Sequence, residues 1–324
     1  MRVVIPVAGA GTRLRPHTHS LPKPLLHVAG RPILSYLLDP IVRLNPDEVI
    51  FVTGYRAEQL EAFVRENYSF KATFAPQGEL LGLGYALNVG VENIVDDDVL
   101  VLLGDTIVDC DLKSFMSAGD FVLGLKAVDD PHRFGIAVTK NGKVVDLEEK
   151  PADPKTNLAI IGLYYFKKVE PLKTALRSLV ASGKVTRGEI QFTDALQDMI
   201  RKGVEFVPYE VEEWFDCGKK ETMLTTNRHL ITSRNQTKAL EGCVMVPPVY
   251  VHPEARVVQS VIGPNVSISE GSVITDSVIS NSIIGARTTI DKMTLDDSLV
   301  GHDVVLKGKS QILNIGDSTE ITSG

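Results

Sequence analysis

Several common signatures are missing from this chain. Only three cysteines, Cys110, Cys217 and Cys243, occur in 324 residues, far apart and odd in number. That pattern excludes a disulfide framework and a Cys-x-x-Cys metal site, and it suits a reducing, cytoplasmic compartment. No apolar run reaches the roughly 20 residues of a membrane helix, and the first apolar stretch, broken at Pro6 and Gly9, is too short for a signal peptide. A basic excess is also absent: the net charge is -7, so no positive field would gather nucleic acid, and any phosphate must be gripped locally. His17 and His19 lack further ligands nearby and read as solvent-facing loop residues. With 44% hydrophobic and 23% charged residues, the chain has the composition of a soluble globular protein, and its length suggests two domains.

The first 32 residues are the most informative. Val3 to Val7 reads as a buried strand running into the glycine loop Ala8-Gly9-Ala10-Gly11-Thr12-Arg13. Gly9 and Gly11 permit a tight turn with exposed backbone N–H groups, a recipe for cradling phosphate. Arg13 and Lys23 are cations flanking that cradle. No Gly-Lys-Ser/Thr follows, so the loop is not a Walker A sequence, and Leu14 stands where a dinucleotide fingerprint needs its third glycine.

Strands and helices then alternate to about Leu230. Helices are expected over Pro32–Leu44, Glu58–Asn67 and from near Tyr85, with strands over Val49–Val52, Ala72–Ala75 and Val99–Leu103. Continuous apolar strands between helices indicate a sheet covered on both faces. Further strands are expected at Phe121–Val128, Gly135–Val138, Lys143–Glu148 and Ala159–Phe166. In the loop Gln77 to Ala86, Gln77 offers one acceptor and two donors to a pyrimidine edge, while Gly82 and Gly84 let a ring lie against the backbone. Asp105 follows a buried strand, at the sheet edge where α/β proteins bind ligands. Gly135 brings side-chain-free backbone near a ligand, and Thr193 with Asp194 is expected to cap the helix Ala195–Arg201.

The string Gly-x-Gly-Thr-Arg-Leu-x-Pro, followed by Pro22-Lys23-Pro24-Leu25 and Gly30-Arg31-Pro32-Ile33, resembles the signature of the sugar-1-phosphate nucleotidyltransferases, and the chain is similar to the glucose-1-phosphate thymidylyltransferases and UDP-glucose pyrophosphorylases among them. The resemblance implies a Rossmann-like α/β domain with a mixed, mainly parallel sheet. It also implies Mg²⁺-dependent transfer of a nucleotidyl group from dTTP or UTP to a sugar-1-phosphate, most simply glucose-1-phosphate, releasing pyrophosphate. By the same resemblance Ala8, Gly9, Gly11, Thr12, Arg13, Lys23, Gln77, Gly82 and Asp105 bind nucleotide. Asp105, and Asp216 of Trp214-Phe215-Asp216-Cys217-Gly218, hold the metal. Gly135, Glu149, Lys150, Gly162 and Glu189 receive the sugar phosphate, and Arg13, Lys23, Asp105 and Asp216 are the catalytic set. The phosphate loop is one residue shorter than the thymidylyltransferase form, and with Gly82-Leu83-Gly84 it is similar to UDP-glucose pyrophosphorylases. Thymine and uracil both stay open.

The composition changes after a helix near Lys219–Ser233. Aliphatic residues recur at Ile262, Ile268, Ile274, Ile279, Ile284, Ile290, Leu295, Val300, Leu306 and Ile312, five or six residues apart, with Gly263, Gly271, Gly285 and Gly301 between. This is the rhythm of a hexapeptide β-helix, and the segment resembles left-handed ones. The expected organisation is a catalytic domain over 1–236, a linker and first strand over 237–256, and a β-helix over 257–324. Open ends of a β-helix need cover, which favours packing against another subunit or the catalytic domain, and a homo-oligomer is expected. His302 is the one histidine within the repeat and is expected to face solvent at a turn, which leaves acyl transfer without a base; a non-catalytic sugar-nucleotide binder is the other alternative.

Overall fold

The computed structural model describes residues 1–233, the last of these without its side chain, and 240–308. Two compact units emerge: Met1–Leu26 with Arg31–Thr226, and His27–Gly30 with Asn227 onward. The expected boundary at residues 236–237 lies outside the described residues, as does Ile312.

In chain order the elements are β1 (Arg2–Pro6), β2 (His27–Val28), β3 (Arg31–Pro32), α1 (Ile33–Val42), β4 (Glu48–Thr53), α2 (Ala57–Asn67), β5 (Ala72–Pro76), α3 (Leu83–Val91), β6 (Val99–Leu102), β7 (Thr106–Asp109) and α4 (Leu112–Ser117). They continue with β8 (Phe121–Ala127), β9 (Gly135–Lys140), β10 (Lys143–Glu149), β11 (Leu158–Phe166), α5 (Val169–Ser182), α6 (Phe192–Arg201), β12 (Val207–Glu210), β13 (Glu213–Asp216) and α7 (Lys220–Ser233).

The first unit is built on a nine-stranded mixed sheet with the path β10-β9-β11-β6-β1-β4-β5, extended by β8 beside β11 and by β12 beside β8. Strands β6, β1, β4 and β5 run parallel, and β11 turns the sheet antiparallel at β6. Alternate residues of β1 face opposite layers: Val4 packs with α3, α5 and α6, whereas Val3 and Ile5 pack with α1, α2 and α4. Burial on both faces explains why these strands are continuously apolar. Four neighbouring strands consequently aim their carboxyl ends at the same edge.

The second unit stacks three four-stranded parallel sheets, the arrangement of a short left-handed β-helix. Ile262 pairs with Ile279 and Ile279 with Leu295, so successive coils take 17 and then 16 residues, fewer than three full hexapeptides. Ile262, Ile268, Ile274, Ile279, Ile284 and Ile290 are fully enclosed, and Leu295, Val300 and Leu306 pack against them. Glycine is the minority at the corners. Left-handed backbone is carried there by Gln259, Asn265, Asp276, Asn281, Arg287, Lys292, Asp297 and Asp303 as well as by Gly271. Short polar side chains tolerate that conformation and bond locally: Asn265 donates to Asn281, 2.9 Å away, and Asn281 to Asp296, also 2.9 Å away.

His302 does not face solvent as expected. Its Nδ1 accepts the Ala286 N–H at 2.9 Å, and its ring meets His27 edge to face at 5.7 Å. The helix after Gln191 also differs from expectation. It begins at Phe192 with Gln191 as its N-cap residue and no side-chain cap. Thr193 instead donates to Glu149 at 2.7 Å, and Asp194 is taken by Lys184 and Thr186. Capping yields here to tertiary partners that sequence alone does not bring together.

Candidate active site

The glycine loop leaves β1 at its carboxyl end. Gly11 adopts a left-handed conformation, φ +60°, and a side chain there would press on Thr18 and the Lys23 Cβ at 3.0 and 3.1 Å. Its carbonyl accepts the Leu14 N–H and the Thr18 hydroxyl, which closes the turn. Asp105 follows the adjacent parallel strand, and Gln77 follows β5, held by its N–H to the Thr53 carbonyl at 2.8 Å. A cavity of about 530 Å³ opens between them, lined by Ala8, Gly9, Gly11, Thr12, Arg13, Lys23, Gln77, Gly82, Asp105 and Glu189. The structure thus gathers every expected nucleotide-binding residue, and one expected sugar-phosphate residue, around one space.

Lys23 is only 8% exposed, and its ammonium donates to Asp105 Oδ2 at 2.5 Å. Burial works against a charged Asp105, but Lys23, with Arg13 further off, outweighs it and keeps the carboxyl below its usual range. Asp105 is therefore an ionised oxygen donor at neutral pH. Strand β13 pairs antiparallel with β7, placing Asp216 opposite Thr106, and the Cys217 N–H donates to the Asp105 carbonyl at 3.2 Å. Two carboxylates consequently come from neighbouring strands. Gly218 permits this, since a Cβ there would meet Asp216 Oδ1 at 2.7 Å.

Magnesium prefers oxygen and commonly takes one or two carboxylates with substrate phosphates completing its shell. Among the described residues no group of three His, Cys, Asp or Glu side chains is placed to hold a metal. Asp105 and Asp216 are two oxygen donors of the kind such an ion takes, and of the two Asp105 lines the cavity. Burial pushes the Cys217 thiol up to about 12 and, helped by Asp109 and Asp111, the Cys110 thiol up to about 11. Both thiols are thus held in the protonated form at neutral pH, which disfavours them as nucleophiles.

Gly135, Glu149 and Lys150 form a second cluster. Lys150 Nζ lies 3.3 Å from Glu149 Oε1, and the Lys150 N–H donates to the Phe134 carbonyl at 3.0 Å. A Cβ on Gly135 would stand 3.0 Å from Glu149 Oε2, so the glycine leaves that carboxylate room. Gly162, φ +82°, passes under Leu103, a cavity residue whose N–H it accepts at 2.9 Å. Glu189 reaches the cavity because Gly82 and Gly84 pack on its neighbour: the Gly84 N–H donates to the Ile190 carbonyl at 2.9 Å.

Sequence reasoning missed Arg133, whose guanidinium lies 3.1 Å from Asp216 Oδ2, and gave Thr193 a capping role where it instead bonds Glu149. It also missed Arg187, which donates to the Lys150 carbonyl at 2.5 Å. No spacing rule joins Arg133 to a carboxylate 83 residues away; the packing of Phe134 on Trp214, which sets the Pro131–Arg133 turn beside β13, reveals it.

A doubly covered sheet presenting a glycine loop, paired cations and two carboxylates at one edge is the frame of an enzyme handling nucleoside phosphates. The chain belongs to the nucleotidyl transferase family, whose sequence pattern matches residues 2–233. It is 30% identical to the glucose-1-phosphate thymidylyltransferase of Streptomyces griseus, over 96% of this chain and 95% of that protein. It is 32% identical to the UTP–glucose-1-phosphate uridylyltransferase AglF of Haloferax volcanii, over 68% of this chain and 93% of that protein. A crystal structure from Bacillus anthracis, provisionally designated a glucose-1-phosphate thymidylyltransferase and solved with sucrose, gives a TM-score of 0.63 at 25% identity, over 74% of this chain and 98% of that one.

Proposed function

We propose that the protein transfers a nucleotidyl group from a pyrimidine nucleoside triphosphate, dTTP or UTP, to a sugar-1-phosphate, with glucose-1-phosphate the first candidate, and releases pyrophosphate. The observation that carries this reading is the convergence of the glycine loop, Arg13, Lys23, Gln77 and Asp105 on one cavity. Backbone N–H groups and Arg13 hold the β- and γ-phosphates, while Gln77 and the Gly82 backbone receive the base. Lys150 holds the sugar phosphate and Glu149, aligned by Thr193, a sugar hydroxyl. With two anions to be brought together, catalysis rests on alignment and on neutralising charge as pyrophosphate departs.

Lys23 stands where that charge develops, and its present partner Asp105 keeps it ordered until substrate arrives. Asp105 and Asp216 would hold Mg²⁺, which when bound offsets phosphate charge and polarises the α-phosphorus. Assembly into a homo-oligomer belongs to the same proposal, with the β-helix as its contact element. Relatives named for thymidylyl and for uridylyl transfer both support sugar nucleotide formation. Incubation with Mg²⁺, glucose-1-phosphate and each nucleoside triphosphate in turn tests it. Pyrophosphate with dTTP or UTP, exceeding that with purine nucleotides, is expected; no pyrophosphate with any nucleotide across several sugar-1-phosphates overturns the reading.

A further inference from the structure

We propose that Arg133 is a positioning residue for Asp216: a displaceable counter-ion that holds this carboxylate in place until a divalent cation takes it. The inference rests on the reading of Asp105 and Asp216 as metal ligands. Each of the two carboxylates is engaged by a cation, but the two partners differ in kind. Lys23, on Asp105, is 9% exposed along its side chain, whereas Arg133, on Asp216, is 32% exposed. Arg133 also ends a single helical turn, Pro131–Arg133, rather than sitting in a packed element. It makes one guanidinium–carboxylate contact, at 3.1 Å, instead of the two-pronged contact that makes arginine pairs strong.

The turn is anchored just beyond the arginine. Phe134 meets the Trp214 ring edge on at 5.0 Å, and Arg133 lies over the Phe134 ring at 5.1 Å. The guanidinium can therefore leave Asp216 without its backbone moving. Because a guanidinium stays charged at any working pH, the pair opens by exchange of one charged partner for another, and a divalent cation at Asp216 is such an exchange. Without Arg133, Asp216 would lack the contact that now fixes it, and a metal would meet no competitor.

The test is titration of the full-length protein with Mn²⁺ alone, following the free-ion signal by electron paramagnetic resonance. Removing the competitor in Arg133→Met, and independently in Arg133→Gln, should tighten Mn²⁺ binding about threefold to fivefold, the range of a part-exposed ion pair. In an Asp216→Asn background the same replacement should change nothing. Lys126→Met removes a cation that donates to the Glu212 carbonyl, next to β13, without touching Asp216, and should leave the affinity as it was. Unchanged or weaker Mn²⁺ binding in both Arg133 variants overturns the proposal, and so does equal tightening in Lys126→Met, which would make the effect one of overall field. If Asp105→Asn and Asp216→Asn each weaken Mn²⁺ binding while the Arg133 variants do not alter it, the metal reading stands and the counter-ion role falls. If neither carboxylate variant affects Mn²⁺, the metal reading falls and the proposal with it.

Discussion

Acidification should loosen the unit that contains the β-helix, through His27. Burial, and then the imidazoles of His302 and His252, lower the His27 pKa to about 4 from the ordinary 6.5. Its Nδ1 lies 3.4 Å from the Ser269 hydroxyl, and its ring abuts His302. His302 is itself held below its usual range by burial and Arg287, against the pull of Asp303 and Glu270. Around His27 the unfolded chain takes up a proton near pH 6.5, the folded one only near 4. The unfolded state binds more protons between those values, so this contribution is intact above 6.5, falls as pH falls and levels off below about 4. A full shift of that size corresponds to about 3 kcal/mol, and because the interval from pH 7 to 4.5 does not span the whole titration the expected loss is about 2 kcal/mol. Urea unfolding followed by circular dichroism at pH 7 and pH 4.5, for the native chain and His27→Gln, measures it. The native chain should lose about 2 kcal/mol more than the variant over that interval. Equal losses in the two proteins would refute the assignment to His27.

Three other outcomes follow from contacts in the structure. Gly82→Ala sets a Cβ 2.7 Å from the Ile190 carbonyl at φ +118°; strain of about 1–3 kcal/mol should raise the KM for nucleotide several-fold in steady-state assays, with less change for the sugar phosphate. Thr193→Val removes the 2.7 Å hydrogen bond to Glu149 and should raise the KM for sugar-1-phosphate about fivefold, equivalent to about 1 kcal/mol, with nucleotide KM unaltered. Ile274→Ala in the enclosed β-helix ladder should cost about 2–5 kcal/mol in urea unfolding.

The frame of the catalytic unit was legible because its strands are buried on both sides and so stand out as apolar runs. Arg2–Pro6, Glu48–Thr53 and Val99–Leu102 lie within a residue of the stretches read from sequence. The cavity-lining residues were legible as well, since loops at the carboxyl ends of adjacent parallel strands must converge. Helix α5 carries the same apolar spacing as its neighbours, with Leu172, Leu176 and Leu179 inward, yet no motif drew notice to it. Arg133, Thr193 and the His27–His302 contact were illegible for a different reason: each depends on strand pairing or coil stacking between distant segments. The β-helix ladder was visible as a rhythm, but its 16- and 17-residue coils were not, because left-handed corners made by Asn, Asp, Lys and Arg look like ordinary polar turns.

The most direct test of the account compares the native protein with Asp105→Asn and Lys23→Met for pyrophosphate release from dTTP and UTP in the presence of glucose-1-phosphate and Mg²⁺. The native protein should turn over with at least one of the two nucleotides, and each variant should lose at least about 100-fold in kcat/KM, the scale set by removing a group that stabilises developing charge, while keeping the native circular dichroism spectrum. Full activity in Asp105→Asn would contradict the placement of catalysis in this cavity.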